Sequence, residues 1–362
     1  MRAIDERSPP IAMKDREQSP ETLPPSAIES AAENISDLLR EALRYSPGDA
    51  ALVVSDAQSP LAIALTEAYR RSLPEARFID FDSVPPEQVL SAFEDLSAGA
   101  LVVLIQSTSF RLAAFRIRLE LFKRSIKVIE HPHLARSRGA EGLVYIDSLA
   151  YDAAYFRGVG HALKRRIDAA SGGVVLSGGE ELVFSAAFET AKLNIGDYTG
   201  MANIGGQFPI GEVFTESKDL EAVNGRVQIA LFGDLSYSIN RPPHPITLVV
   251  KSGRVVAVED STPEFDQVLE SIRADEGEVW MRELGFGMNR AFSFERTVSD
   301  VGAFERMCGV HLSLGAKHMS YNKPNIKKRA ARQHVDVFVH TDSVTLDGEV
   351  IYQGGAWTVP VD

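Results

Sequence analysis

The chain has 362 residues, of which 44% are hydrophobic and 24% are charged. This composition is ordinary for a globular protein, and the length is sufficient for two domains. Its net charge of -12 disfavours nucleic acid or an anionic membrane surface as a partner, and its single cysteine excludes an internal disulfide. No apolar run reaches the roughly 18 residues that a membrane helix needs, so we predict a soluble cytoplasmic protein with no membrane or nucleic-acid partner.

The first 33 residues differ in composition from the rest of the chain. They are rich in proline, serine and acidic residues, with proline at positions 9, 10, 20, 24 and 25. A segment with so little apolar surface to bury does not fold on its own. We therefore predict a flexible tail, or an extended arm lying on the body, over residues 1–33.

Residues 34–174 alternate short apolar strands with helices. The predicted strands cover 51–56, 76–81, 100–106 and 126–131, and predicted helices cover 86–97 and 109–124. A further helix is predicted to begin at Ser59-Pro60, because serine caps a helix and proline is tolerated in its first turn. Strands separated by helices predict right-handed crossovers, and hence a Rossmann-like N-terminal domain with a largely parallel sheet.

Two features of this first part bear on ligand binding. It contains no glycine-rich phosphate-binding motif, so no nucleotide site is predicted. The segment Glu130-His131-Pro132-His133 lies at the end of a predicted parallel strand, where α/β sheets often place ligands. Two histidines at that spacing can bind a metal, but a turn with exposed histidines is the favoured interpretation.

From residue 175 to residue 362 the pattern changes to strands joined by Gly-rich and Asp-Gly turns, which is typical of antiparallel β structure. Helices are predicted at 263–274 and 299–307. The sequence thus predicts an α/β protein whose second domain is a β-rich α+β unit.

Five potential metal ligands lie in this second part: Glu212, Glu283, His311, His334 and Asp336. His334 and Asp336 are two residues apart on a predicted strand, so their side chains share a face. Glu283 and Asp336 sit in apolar runs, where a carboxylate is rarely buried without a partner or a metal. These features predict a metal site in the C-terminal domain.

The motifs around these residues resemble the M29 family of metallo-aminopeptidases, the aminopeptidase T type. They are G-E-V-F-T around Glu212, E-L-G-F-G-M-N from Glu283, H-L-S-L-G from His311 and H-V-D at 334–336. The resemblance implies that the five residues bind one or two divalent ions, zinc, manganese or cobalt, in a homodimer that cleaves an amide bond of a peptide or peptide-like substrate. Such ions activate a water and polarise a carbonyl. Either Glu212 or Glu283 would bridge the ions or accept the proton of the water.

The chain departs from the family pattern in two places. Where the family has a tyrosine seven residues after the histidine, this chain has His318, and Tyr321 is three residues further on. We expect one of the two to assist at the oxyanion or as a proton shuttle. The loop before H-V-D carries Lys327, Lys328 and Arg329. These cations are interpreted either as a solvated loop or as the binding site for an acidic group of the substrate.

Two other functions stay open. The missing tyrosine and the cationic loop favour a catalytically inactive peptide-binding protein on the same fold. The chain also resembles, more distantly, the dihydroxypyridine dioxygenases, which keep the H-x-D pair and use one iron. In that case His311, His334 and Asp336 would form a two-His-one-carboxylate site for Fe(II). Because Glu283 stands where this branch has its other histidine, iron and the dioxygenase rank below the hydrolase.

Overall fold

The computed structural model of the protein describes residues 22–110, 112, 117–316, 321, 323 and 333–361. Within these ranges the chain forms a five-stranded parallel sheet and a much larger antiparallel sheet. The predicted fold class, a Rossmann-like part followed by a β-rich α+β part, is confirmed. Among the described residues, no helix is both long enough and apolar enough to cross a membrane.

The first part of the chain alternates helices and strands as predicted. In order, these are α1 (Pro25–Asp37), which continues as a π-helical turn (Leu38–Ala42), β1 (Ala51–Ser55), α2 (Pro60–Ser72), β2 (Arg77–Asp80), α3 (Pro86–Glu94), β3 (Leu101–Ile105), α4 (Ile117–Lys123), β4 (Lys127–His131), α5 (Ala140–Asp147) and α6 (Ala153–Ala169). Ser59 caps α2 as predicted, because its hydroxyl accepts a hydrogen bond from the backbone N–H of Ala62.

The segment predicted as a flexible tail is shorter in the structure. Residues from Pro25 onward form α1, and Ala27, Ala31 and Ile35 are buried against the body. These three positions repeat at i, i+4 and i+8, so they form one apolar stripe along a helix. The prediction of a tail was therefore wrong for residues 25–33, because composition averaged over the segment hid this stripe.

The parallel sheet has the strand order β2-β1-β3-β4 in the first part of the chain. Alternate residues of each strand enter two different cores, as Val53 and Val54 of β1 do. Helices α3 and α4 cover one face, and α2 and α5 cover the other. Burial on both faces explains why the strands are continuous apolar runs rather than alternating ones.

The second part of the chain is dominated by strands. In order, these elements are β5 (Gly173–Ser177), β6 (Glu180–Phe184), β7 (Lys192–Asn194), β8 (Gly205–Gln207), β9 (Glu212–Glu216), β10 (Val223–Gly233), β11 (Ile239–Asn240), β12 (Ile246–Lys251), β13 (Arg254–Glu259), α7 (Pro263–Glu276), β14 (Met281–Gly287), α8 (Val301–Phe304), β15 (Gly309–Gly315), β16 (His334–Val339), β17 (Ser343–Leu346), β18 (Glu349–Gln353) and β19 (Ala356–Trp357).

These strands form the antiparallel sheet, except for one that crosses to the first sheet. The order along the main path of the sheet is β19-β18-β17-β5-β6-β10-β16-β15-β14-β9-β7. Strand β8 instead pairs in parallel with β4 and becomes the fifth strand of the parallel sheet. One apolar core contains residues of both parts, such as Val53 and Val213. The second sheet begins at β5, next to the predicted boundary, and the division at 174/175 into two domains stays a prediction.

Candidate metal centre

Four neighbouring antiparallel strands, β9, β14, β15 and β16, carry the five predicted ligands. Their register places Gly287 opposite Glu212, Gly285 opposite His311, and Ser313 opposite Asp336. Residues directly opposite each other in a sheet share a face, and so do residues two apart in one strand. All five side chains, Glu212, Glu283, His311, His334 and Asp336, therefore project from the same face of the sheet.

Three of these side chains form a tight cluster. Glu212, Glu283 and His311 are buried, and one ligand atom of each lies within 4.8 Å of the others. His311 Nε2 is 3.3 Å from Glu212 Oε1 and 3.6 Å from Glu283 Oε1. Beside this triad, His334 Nε2 lies 3.2 Å from Asp336 Oδ1. Two carboxylates and an imidazole this close together are a donor set for a divalent ion.

Unsatisfied polar atoms support a metal at this position. Both ring nitrogens of His311, Glu283 Oε2 and Asp336 Oδ1 are buried and make no hydrogen bond to any described residue. A buried polar atom without a partner is costly, and native structures rarely leave several of them together. A cation coordinated by His311 Nε2 and by the two carboxylate oxygens would satisfy these three atoms, so the residues present fit a metal ion.

The charges of the cluster are strongly coupled. Burial opposes ionisation of Glu212, but Arg306 and His311 outweigh it and lower the pKa of Glu212. Burial likewise opposes ionisation of Asp336, and His334 lowers its pKa. The carboxylates act in the other direction on the imidazoles. Burial alone would lower the pKa of each imidazole, but the neighbouring carboxylates outweigh it. They raise the pKa of His311 to about 10 and that of His334 to about 9.

These pKa values predict that metal binding releases protons. Metal-free protein at pH 7 holds a proton on both His311 and His334, whereas only the neutral imidazole is a ligand. Binding of a divalent ion should therefore release one to two protons. Its affinity should rise about tenfold per pH unit for each proton released, up to about pH 9. Calorimetry in buffers of different ionisation enthalpy measures the proton count, and a count of zero at pH 7 would contradict this protonation state.

A cavity leads to the centre from the side of His334. It has a volume of about 280 Å³, and His334 and Asp336 form one of its walls. Phe208 and Tyr237 supply apolar surface, and Asp300 and Arg136 supply charge. A small or extended ligand can therefore approach the H-V-D pair directly.

Three residues that the sequence analysis did not single out also shape the site. Arg306 is buried, and its Nη1 lies 3.7 Å from Glu212 Oε2. Gly285 faces the ring of His311, where a Cβ atom would overlap Cε1 and Nε2. Glu216 lies opposite Glu283 in the register, and burial raises its pKa. Glu212 and Glu216 are four residues apart on one strand, so their side chains share a face, and this spacing could have identified Glu216. No local pattern points to Arg306.

The structure describes only part of the predicted catalytic and substrate-binding loop. His318, Lys327, Lys328 and Arg329 lie outside the described residues. Tyr321 is buried, and its hydroxyl donates to the carbonyl oxygens of Thr190 (3.1 Å) and Phe214 (3.2 Å). The proton of Tyr321 is thus engaged with the backbone, and its catalytic role stays a prediction.

His131, the last residue of β4, and His133 do not form a second metal site together. His131 is completely buried between two tyrosines, with Tyr69 Oη 2.8 Å from its Nε2 and Tyr145 Oη 2.9 Å from its Nδ1. Tyr145 donates its own proton to the carbonyl of Phe208, so it accepts the proton of His131 Nδ1. Burial lowers the pKa of His131 to about 3, which keeps the imidazole neutral. His133 instead contacts Ser109.

This arrangement predicts a structural role for His131. Replacement by alanine leaves a cavity and two tyrosine hydroxyls without their partner, so it should lower the free energy of unfolding by about 3 kcal/mol. The metal content should not change. Urea unfolding of His131→Ala measures the loss, and His244→Ala, which removes an exposed imidazole, is the control. Loss of metal at unchanged stability would instead make His131 a ligand.

No protein-family model and no curated protein sequence matches the chain. Solved structures do match. A 2,5-dihydroxypyridine dioxygenase from Pseudomonas putida KT2440 aligns with a TM-score of 0.61 and 14% identity, over 92% of this chain and 98% of that chain. AmpT from Thermus thermophilus aligns with a TM-score of 0.53 and 14% identity, over 91% of this chain and 99% of that chain. These similarities confirm, at the level of the fold, both resemblances that the motifs indicated.

Proposed function

We propose that this protein is a metal-dependent hydrolase that cleaves an amide bond in a peptide or peptide-like substrate. The observation that carries the proposal is the buried triad of Glu212, Glu283 and His311, with unsatisfied ligand atoms beside the His334–Asp336 pair. The fold that the chain shares with AmpT is consistent with it.

The five side chains would hold one or two divalent ions, which we propose are zinc, manganese or cobalt. When bound, such ions lower the pKa of a water and polarise the carbonyl of the substrate. Three carboxylates and two imidazoles favour these ions over softer ones, because none of the donors is a thiolate. The third carboxylate also distinguishes this set from a two-His-one-carboxylate site.

The two glutamates of the triad differ in their surroundings, which suggests different roles. Glu212 has His311 near one oxygen and Arg306 near the other, so its charge is fixed and it is suited to bind a cation. Glu283 has one oxygen near His311, while its Oε2 has no hydrogen-bond partner among the described residues. We therefore propose Glu283 as the base that accepts the proton of the attacking water.

The remaining predicted roles are proposals for the loop before β16. His318 or Tyr321 would assist at the oxyanion or carry a proton. Lys327, Lys328 and Arg329 would bind an acidic group of the substrate. We also retain the homodimer and the cytoplasmic location as proposals.

A mononuclear Fe(II) dioxygenase is the second candidate. The observation in its favour is that the dioxygenase structure aligns with a higher TM-score, 0.61 against 0.53 for AmpT. His311, His334 and Asp336 would then hold the iron. We rank it lower, because the triad contains Glu212 and Glu283 beside the histidine, which that ligand set does not use.

The experiment that tests the proposed function combines metal analysis with turnover. Protein purified without chelator or a nickel column is analysed for metals and then assayed on a peptide library with added zinc, manganese or cobalt. Metal near one or two equivalents together with amide cleavage would support the hydrolase. One equivalent of iron with oxygen consumption would favour the dioxygenase. Tight peptide binding without turnover in excess metal would identify an inactive peptide-binding protein.

A further inference from the structure

The parallel sheet has a topological switch point between β1 and β3. The chain runs from β1 to β2 on one side, and then continues with β3 and β4 on the other side. Loops that leave neighbouring strands in opposite directions open a crevice at the carboxyl edge of the sheet, and α/β proteins commonly bind ligands there. In this chain the crevice lies where Asp56 follows β1 and Gln106 follows β3.

A cavity of about 810 Å³ lies beside this crevice at the carboxyl edge of the sheet, between the loops that follow β3 and β4. The hydroxyl residues Ser107, Thr108 and Ser109, which follow β3, line one side. His133, Arg136 and Arg138, which follow β4, line another. No carboxylate is among the described residues of the lining. In a chain with a net charge of -12, a cavity lined by two arginines and hydroxyl groups is suited to an anion.

The loop after β3 is held in place by hydrogen bonds with buried and neighbouring side chains. Asp56 is buried and accepts hydrogen bonds from the backbone N–H of Ser107 (2.7 Å) and from its hydroxyl. The hydroxyl of Ser59, at the start of α2, lies 2.7 Å from that of Ser107. The side chain of Gln106 accepts from the backbone N–H of Phe110 (2.7 Å). Such support fixes the residues that line a binding site in position.

The two arginines differ in how they are held. Arg136 Nη1 lies 2.6 Å from Asp300 Oδ1, so its charge is already compensated. Arg138 is exposed, and its Nε donates to the backbone carbonyl of Ala135 (3.2 Å). Among the described residues, it has no carboxylate within ion-pair distance. Arg138 is therefore the cation available to a ligand.

The cavity adjoins the candidate metal centre. His133 and Arg136 line both this cavity and the smaller one that reaches His334 and Asp336. A molecule with one end in the larger cavity can thus extend towards the ligands of the metal.

We propose that the cavity between the loops after β3 and β4 binds an anionic group, a carboxylate or a phosphate, and that Arg138 is the main side chain that binds it. Thr108 donates a further hydrogen bond from its hydroxyl. The anion belongs to the substrate of the metal centre, so the substrate is peptide-like with an acidic group at a distance from the cleaved bond, in addition to the acidic group proposed for Lys327, Lys328 and Arg329. That last step rests on the proposed function, whereas anion binding by the cavity does not.

The test is calorimetric titration of the full-length protein with sodium phosphate and with sodium glutarate. We expect at least one anion to bind, and Arg138→Ala to weaken that binding about tenfold, which is the loss of one charge-assisted contact. The affinity of Arg138→Lys for the anion should lie between those of the wild type and Arg138→Ala, because lysine keeps the charge but not the planar fork of donors. Arg71→Ala, which removes an exposed arginine of α2, is the matched control and should bind as the wild type does.

The same titration on His334→Ala/Asp336→Ala separates this cavity from the metal centre. Binding that survives in that variant and is lost in Arg138→Ala places the anion in the proposed cavity, whether or not the protein hydrolyses amides. The preferred anion identifies the source as a carboxylate or a phosphate. The proposal is overturned if neither anion binds, or if Arg138→Ala binds both as tightly as the wild type.

Discussion

His334→Ala/Asp336→Ala should lose its divalent metal and, with it, amide hydrolysis. The two side chains lie 3.2 Å apart on the face that carries the triad, and together they would supply two of the five proposed donors. Removing a ligand costs more than removing its hydrogen-bond partner, which already weakens metal binding about 10- to 100-fold. We therefore expect metal affinity and kcat/KM each to fall at least about a hundredfold. Elemental analysis after dialysis and a peptide cleavage assay measure the two quantities.

The chain offers a matched control for this double variant. His340 and Asp342 have the same spacing just after β16, and their nearest atoms are 3.9 Å apart. Both side chains are exposed, and neither lies in the cluster. His340→Ala/Asp342→Ala deletes the same atoms and should keep its metal and its activity. Equal losses in the two variants would show that the H-V-D pair is not part of a metal centre.

Where the geometry is local, the sequence alone indicates which predicted ligands lie side by side. His334 and Asp336 share a face because side chains alternate along any strand, and this needs no knowledge of the partner strands. The joining of Glu283 to His311 is different. It depends on the register that sets Gly285 opposite His311, and register is a property of two strands that are distant in the sequence. The residues alone did not supply this register, and the resemblance to a known family did.

Residues missed by the sequence analysis are those whose partners are far away along the chain. Arg306, between α8 and β15, comes within 3.7 Å of Glu212 although the two residues are far apart in the sequence. The environment of His131 depends on Tyr69, 62 residues away, and Tyr145, 14 residues away. The favoured interpretation, a turn with exposed histidines, was therefore wrong for His131, because the folded chain makes it a buried and neutral core residue.

The parallel sheet was easier to predict, because each of its strands is a short apolar run between helices. All four predicted strands are present within one or two residues of their predicted ends. Its fifth strand, Gly205–Gln207, contains two glycines and a glutamine. Such a strand has almost no side-chain surface to bury, so hydrophobic pattern cannot detect it. It forms because the edge of β4 offers unpaired backbone groups, which is again information from outside the segment.

Gly285→Ala should displace His311 and weaken the metal centre without removing any ligand. Gly285 is directly opposite His311, and a Cβ atom at this position would overlap the imidazole at Cε1 and Nε2. The ring is buried and cannot move freely, so we expect a cost of about 1–3 kcal/mol in the free energy of unfolding. Misplacing one ligand should also lower metal affinity about 10- to 100-fold, by analogy with loss of the groups that orient ligands. Chemical denaturation and metal titration measure these two effects.

A double-mutant cycle distinguishes the displacement of His311 from a general effect of alanine in β14. In the background of His311→Ala the overlap is absent, so the added Gly285→Ala should cost much less stability than it does in the wild type. Gly142→Ala is the control, because a Cβ atom there meets only the flexible end of Leu23 at 3.3 Å. If Gly285→Ala costs the same with and without the imidazole, the glycine is required by the backbone of the strand. A large difference would show that the glycine is required to leave room for the ligand.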